Sequence, residues 1–322
     1  MRVRGAAWRS GWSAVALLIA LLLTGCATQT RSLLQKPAAG LPQRAELSST
    51  PFHPQERYQC GPASLAMTLS ASGIPISPDA LVPQVYVPMR EGSLQPEMLA
   101  AARRNGAFSM AIAPALASLL AEVAAGHPVI VLQNLSLPLS PLWHYAVVIG
   151  YDLVQGDIIL RSGTTERLVM PMSTFEHTWA RGDYWGMVAL PPGQFPVSAE
   201  EGPAVAALVA FEKAADATLA RKAYESALRR WPHNPTVNFG VGNAAYAAGD
   251  KLAAAAAFRR TTDQFPEHAA AFNNLATVLA ELGDLSAARV AAERAVALGG
   301  PLQEAAVATL ETVRAAQDRK KY

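Results

Sequence analysis

Cysteine is nearly missing from this chain: two residues in 322. That excludes a disulfide scaffold and any cysteine-based zinc site, so each thiol needs its own explanation. Charge is also scarce, at 16% of residues against 51% apolar, which rules out disorder throughout. At the usual ~100–200 residues per domain, the length allows about two domains. The apolar stretch Ala14–Leu23 is ten residues long, short of the ~20 that a ~30 Å hydrocarbon core requires. No Gly-rich loop ends in Gly-Lys-Ser/Thr, so neither ATP use nor transport is expected. The six histidines include no pair four residues apart, and no metal or cofactor is expected. The formal charge is +2, but Arg2, Arg4 and Arg9 precede any acid; without them 24 basic face 25 acidic residues, for a net −1. Such a balance leaves no electrostatic footprint for nucleic acid.

What is present begins with an address. A basic start runs into the short apolar stretch and then Leu23-Thr24-Gly25-Cys26, so residues 1–25 read as a secretory signal and not a permanent span. The four residues resemble the bacterial lipobox, whose cysteine is lipidated before the signal peptidase cuts ahead of it. The resemblance implies a lipid on Cys26 that attaches soluble domains to a membrane. Ala27, in place of Asp, implies the periplasmic face of the outer membrane over the inner within a bacterial cell envelope. Residues 26–47 lack apolar periodicity and read as a tether. Cys60 would then be the one free thiol.

The second half is periodic. Gly249-Asp250 returns as Gly283-Asp284, Trp231-Pro232 as Phe265-Pro266 and Ala223-Tyr224 as Ala257-Phe258, each after 34 residues. Small residues let antiparallel helices approach, an aromatic fills the gap, and proline opens the next copy. This pattern resembles the tetratricopeptide repeat (TPR). About three copies and a capping helix fit residues 203–318, an all-α solenoid of the kind that docks a protein partner. His233 and His268 fall just after repeat prolines, where exposed turns are expected.

Between Pro51 and Pro192 the pattern turns to mixed helix and strand. Pro62 opens an apolar helix behind Cys60, placing the thiol at a helix N-terminus, where the dipole favours thiolate. A helix over 114–125 and strands at 128–132, 144–151, 157–161 and 186–190 suggest a two-layer α+β domain. His144 heads the most apolar strand, so its imidazole belongs at a sheet edge. A cysteine on an early helix with a histidine on a later strand follows the logic of a thiol nucleophile and its base. Gln55, five residues before the thiol, offers an amide to an oxyanion beside the Cys60 N–H.

The segments Phe52-His-Pro-Gln55, Tyr58-Gln-Cys60-Gly-Pro-Ala-Ser-Leu-Ala-Met67 and His144-Tyr-Ala-Val-Val-Ile-Gly-Tyr-Asp152 together resemble the bacteriocin-processing (double-glycine leader) cysteine peptidases, over residues 48–192. The resemblance implies a papain-like fold, Cys60 as nucleophile, His144 as base, Gln55 for the oxyanion, and a peptide or protein substrate. That family places an orienting aspartate, in an Asp-Pro pair, on the strand after the histidine. Here Leu160-Arg161-Ser162-Gly163 stands in its place, so Ser162 and Asp152 are the candidate third members. His53 is a candidate for the cleft wall, His127 for a loop, and His177 for packing against aromatics. The expected protein is a membrane-anchored cysteine peptidase with a TPR docking arm. An inactive peptide-binding scaffold and a thiol amidase or transglutaminase-like enzyme stay open beside it.

Overall fold

The computed structural model describes residues 27–55 and 59–320. The expected signal segment and Cys26 lie outside them. The stretch expected to be a tether is folded. Helix α1 (Thr28–Gln35) buries Leu33 and Thr30, and strand β1 (Arg44–Glu46) joins the main sheet. What stands in for missing apolar periodicity is polar anchorage: the Glu176 carboxylate accepts the N–H groups of Gln29 and Thr30, at 3.0 and 2.6 Å. These are orphan donors of a first helical turn, and a carboxylate there also meets the positive end of the dipole.

Helix α2 (Cys60–Ala71) starts with Gly-Pro and buries every residue from Gly61 to Leu69. Helix α3 (Pro78–Val85) is capped by the Ser77 hydroxyl. A hairpin of β2 (Tyr86–Val87) and β3 (Gly92–Ser93) leads to α4 (Gln95–Arg104). Then follow β4 (Phe108–Ala111), α5 (Leu116–Ala124), β5 (Val129–Asn134), β6 (Trp143–Asp152), β7 (Asp157–Ser162), β8 (Thr165–Pro171), α6 (Met172–Ala180) and β9 (Gly186–Leu190).

The antiparallel sheet has the order β4-β9-β5-β6-β7-β8, with β1 also paired to β6. Successive residues of β5 feed different cores. Ile130 and Leu132 join Leu65, Met67, Leu69, Leu81 and Met98 of α2–α4, whereas Val129 and Val131 join Leu119, Leu120 and Phe175 of α5 and α6. Helices therefore cover both faces of the sheet, and the expected two layers become three. This accounts for strands that are apolar without a polar face: β5 is buried at all six positions.

Seven helices complete the chain: α7 (Glu201–Glu212), α8 (Ala217–Arg230), α9 (Pro235–Ala247), α10 (Lys251–Gln264), α11 (Ala269–Glu281), α12 (Leu285–Leu298) and α13 (Gln303–Lys320). Asp216, Asp250 and Asp284 each cap the second helix of a pair by accepting a backbone N–H. Gly240 and Gly242 show why small residues are needed: a Cβ at either would run into the Tyr224 or the Phe258 ring. Among the described residues, no helix is long and apolar enough to cross a membrane.

Candidate active site

Three chain segments converge on one cleft of ≈ 820 Å³, whose walls include Gln55, Cys60 and His144. Cys60 opens α2, and β6 carries His144 at its first turn of pleat, opposite Gln133 of β5. Gly61 is required beside the nucleophile because a Cβ there would collide with the Ser93 side chain across the cleft. Ser93 is held by its own carbonyl, which accepts the Tyr145 hydroxyl at 3.1 Å. The hairpin thus stays in register with the histidine strand.

His144 Nε2 lies 2.9 Å from the Ser162 hydroxyl. With Nε2–H donating to Ser162, Nδ1 keeps its lone pair for the thiol. Burial of the ring holds His144 below its usual range, with no carboxylate among the described residues beside it to oppose the shift. Burial likewise pushes the Cys60 thiol up, only partly offset by the N–H groups of Tyr145, Gly61 and Cys60 itself. The helix N-terminus was expected to favour thiolate; desolvation outweighs it. Both shifts favour a neutral thiol and a neutral imidazole at rest. Among the described residues no hydrogen bond joins the two groups.

Gln55 is buried and doubly tied. Its N–H donates to the Gly163 carbonyl and its Oε1 accepts the Gly163 N–H, both at 3.0 Å. Its Nε2 donates to Ser64 Oγ at 3.2 Å and to the Tyr145 carbonyl at 3.3 Å. This clamp joins the segment before the cysteine to the turn after Ser162.

Asp152 is not brought to His144. It ends the same extended strand eight residues on, about 26 Å away at ~3.3 Å per residue. There it accepts the N–H groups of Val154 and Gln155 and pairs with Arg44 at 2.8 Å. The Gln155 N–H foremost, then Val154 and Arg44, keep its carboxyl below the usual range. Its place is a turn, leaving Ser162 as the group that touches the imidazole.

The other histidines stand apart. His53 is not among the cleft residues. His127 pairs with Glu122 at 2.8 Å, and His177 is exposed on α6 instead of packed against aromatics. His233 is exposed, whereas His268 is half-buried and caps α11 by accepting the Ala271 N–H. No group of three His, Cys, Asp or Glu among the described residues could hold a metal.

Residues 42–184 match the Peptidase_C39 like family, and residues 206–261 and 242–306 match the tetratricopeptide repeat. The chain joins a C39-like peptidase domain to TPR repeats. Among solved structures, it is similar to a C39-like peptidase from Bacillus anthracis, at 19% identity over 46% of this chain and 98% of that one, TM-score 0.39. It is also similar to the Sgt2 TPR domain from Aspergillus fumigatus, at 22% identity over 36% of this chain and 76% of that one, TM-score 0.32. No curated protein matches the chain.

Two walls of the C39-like cleft were not read from the sequence. Arg90–Gln95 form one, and Leu135, Pro141 and Leu142 another, beside Trp143, whose place next to His144 already suggested core or cleft wall. The usable signals were Glu91-Gly92, a turn between extended pairs, and Leu135-Ser-Leu-Pro-Leu-Ser-Pro-Leu142, too rich in leucine for an ordinary exposed connection.

Proposed function

We propose that the chain is a cysteine peptidase, held to a bacterial membrane by a lipid on Cys26, with its repeats docking a substrate or partner. The observation that carries the peptidase reading is the convergence of Cys60, His144 and Gln55 on one cleft. Starting from a neutral pair, His144 Nδ1 takes the thiol proton as Sγ attacks a peptide carbonyl, and later gives it to the leaving amine. The oxyanion meets the Cys60 N–H and the Gln55 amide, which releases its longer bond to the Tyr145 carbonyl. Water then hydrolyses the thioester. Ser162 orients the ring but brings no charge to an imidazolium, and this favours a second reading, an inactive peptide-binding scaffold.

The test uses the full chain with Cys26→Ser, so that Cys60 is its sole thiol, and a pool of quenched fluorescent peptides. Cleavage should fall by roughly 10³-fold or more in Cys60→Ala and in His144→Ala. Absence of cleavage in the parent, or cleavage that survives either change, would leave the scaffold reading. Anchoring is tested separately: Cys26→Ser should release the chain from the membrane fraction, and a variant that still sediments with membranes refutes the lipid.

A further inference from the structure

The loop between β5 and β6 carries four large apolar side chains in the open, Leu135 at 45% exposed, Leu137 at 71%, Leu139 at 99% and Leu142 at 60%, and Trp143, the first residue of β6, adds a fifth at 52%. It is a built element and not a slack connection. Asn134 is buried at its base, and its Oδ1 accepts the N–H groups of Ser136 and Leu142, each at 3.0 Å. The Leu135 N–H reaches the Leu142 carbonyl at 2.9 Å, and Arg181 donates to the Asn134 carbonyl at 3.0 Å. Prolines 138 and 141 stiffen the span between. A braced loop that holds leucines in water loses the burial those side chains would gain elsewhere, and contiguous exposed apolar surface marks a binding site.

Its position says what it binds. Leu135, Pro141, Leu142 and Trp143 wall the same cleft as Cys60, and Trp143 directly precedes His144. Resting on the reading of this cleft as a peptide site, we propose that the β5–β6 loop is its specificity element, seating apolar side chains of an extended peptide beside the reacting bond. A leucine or phenylalanine side chain would cover Leu135, Leu142 and the Trp143 ring, and a polar one would not.

The test measures binding and not turnover, using the full chain with Cys26→Ser and Cys60→Ala. Two dye-labelled decapeptides serve as probes, one with alternate leucines and one with glutamine in their place. The leucine peptide should bind about tenfold more tightly, as partial burial of one or two such side chains allows. Leu135→Ser with Leu142→Ser should erase the difference, whereas Leu252→Ser, an exposed leucine on α10, should keep it. With Cys60 restored, the leucine peptide should slow iodoacetamide labelling of the thiol. Equal binding of the two peptides, a preference that survives the loop change, or binding that leaves Cys60 unprotected would each overturn the proposal. Loss of lipid-vesicle binding in the loop variant, with the peptide preference intact, would overturn it in favour of a membrane contact. A chain that binds the leucine peptide in its cleft but cleaves nothing would refute hydrolysis and keep the loop assignment.

Discussion

At the scale of single residues, the group that meets His144 Nε2 is the Ser162 hydroxyl, which carries no charge. Desolvation acts on both groups, lifting the thiol and lowering the imidazole, and nothing charged among the described residues touches Nε2 to counter it. A carboxylate at this position would stabilise imidazolium and raise the His144 pKa. The imidazolium would in turn stabilise thiolate and lower the Cys60 pKa, so thiolate would persist to lower pH. Ser162→Asp should therefore move the onset of iodoacetamide labelling about 1–2 pH units toward acid, a shift normal for an opposite charge at hydrogen-bond distance. The parent should label slowly at pH 6 and rise only on the alkaline side of the ordinary ~8.5 of a free thiol. Labelling profiles that superimpose would mean that Ser162 does not address the ring in solution.

At the scale of elements, legibility followed the strength of local signals. Cys-Gly-Pro marks the start of α2, and the run from His144 to Tyr151 marks β6, because apolar length and helix-start chemistry are short-range properties. The 34-residue spacing gave the helix pairs through the Gly-Asp caps and the repeated aromatics Tyr224 and Phe258. Short elements held by distant partners were not legible. Nothing local in Thr28–Gln35 announces a helix, since its anchor is a carboxylate far along the chain. Ser162 was a candidate only because it stands where the resembled family has its aspartate, and Asp152 stayed beside it until the length of β6 separated Asp152 from His144. The anchor makes a definite prediction. Glu176→Ala leaves the buried Thr30 N–H and the half-buried Gln29 N–H without an acceptor, at a cost of about 1–3 kcal/mol. Amide exchange should accelerate across residues 28–35 while α2 and β6 keep their protection. Unchanged exchange in that helix would show that Leu33 and the Gln29 side-chain bonds to Leu116 and Pro114 suffice to dock it.

At the scale of the molecule, the two halves are not beads on a string. Phe108 of the sheet stacks edge-on with Phe195 of the connection, centroids 4.7 Å apart, and with Phe211 of α7 at 6.1 Å. Phe195 in turn meets Trp231 at 5.2 Å, and one continuous core runs from Val131 through Leu208 to Tyr224 and Val241. Buried Glu122 of α5 braces the same joint, accepting N–H groups of Val197 and Ser198. The first helical pair thus serves as a buttress of the peptidase domain. The later helices gather around a separate cluster of Phe258, Leu275, Leu279 and Val313. Domains joined by a small polar interface move independently, whereas an apolar joint of this kind couples them. Phe211→Ala should remove about 3–5 kcal/mol, as for a fully buried aromatic. Because the lost ring serves both halves, the loss should appear in two probes at once. The midpoint for loss of amide protection in β5 and β6, which reports the sheet, and that for helical ellipticity, dominated by the repeats, should fall together. A helical midpoint that drops while β5 and β6 stay protected would mean that the sheet domain stands without its buttress and that the repeats move independently of the cleft.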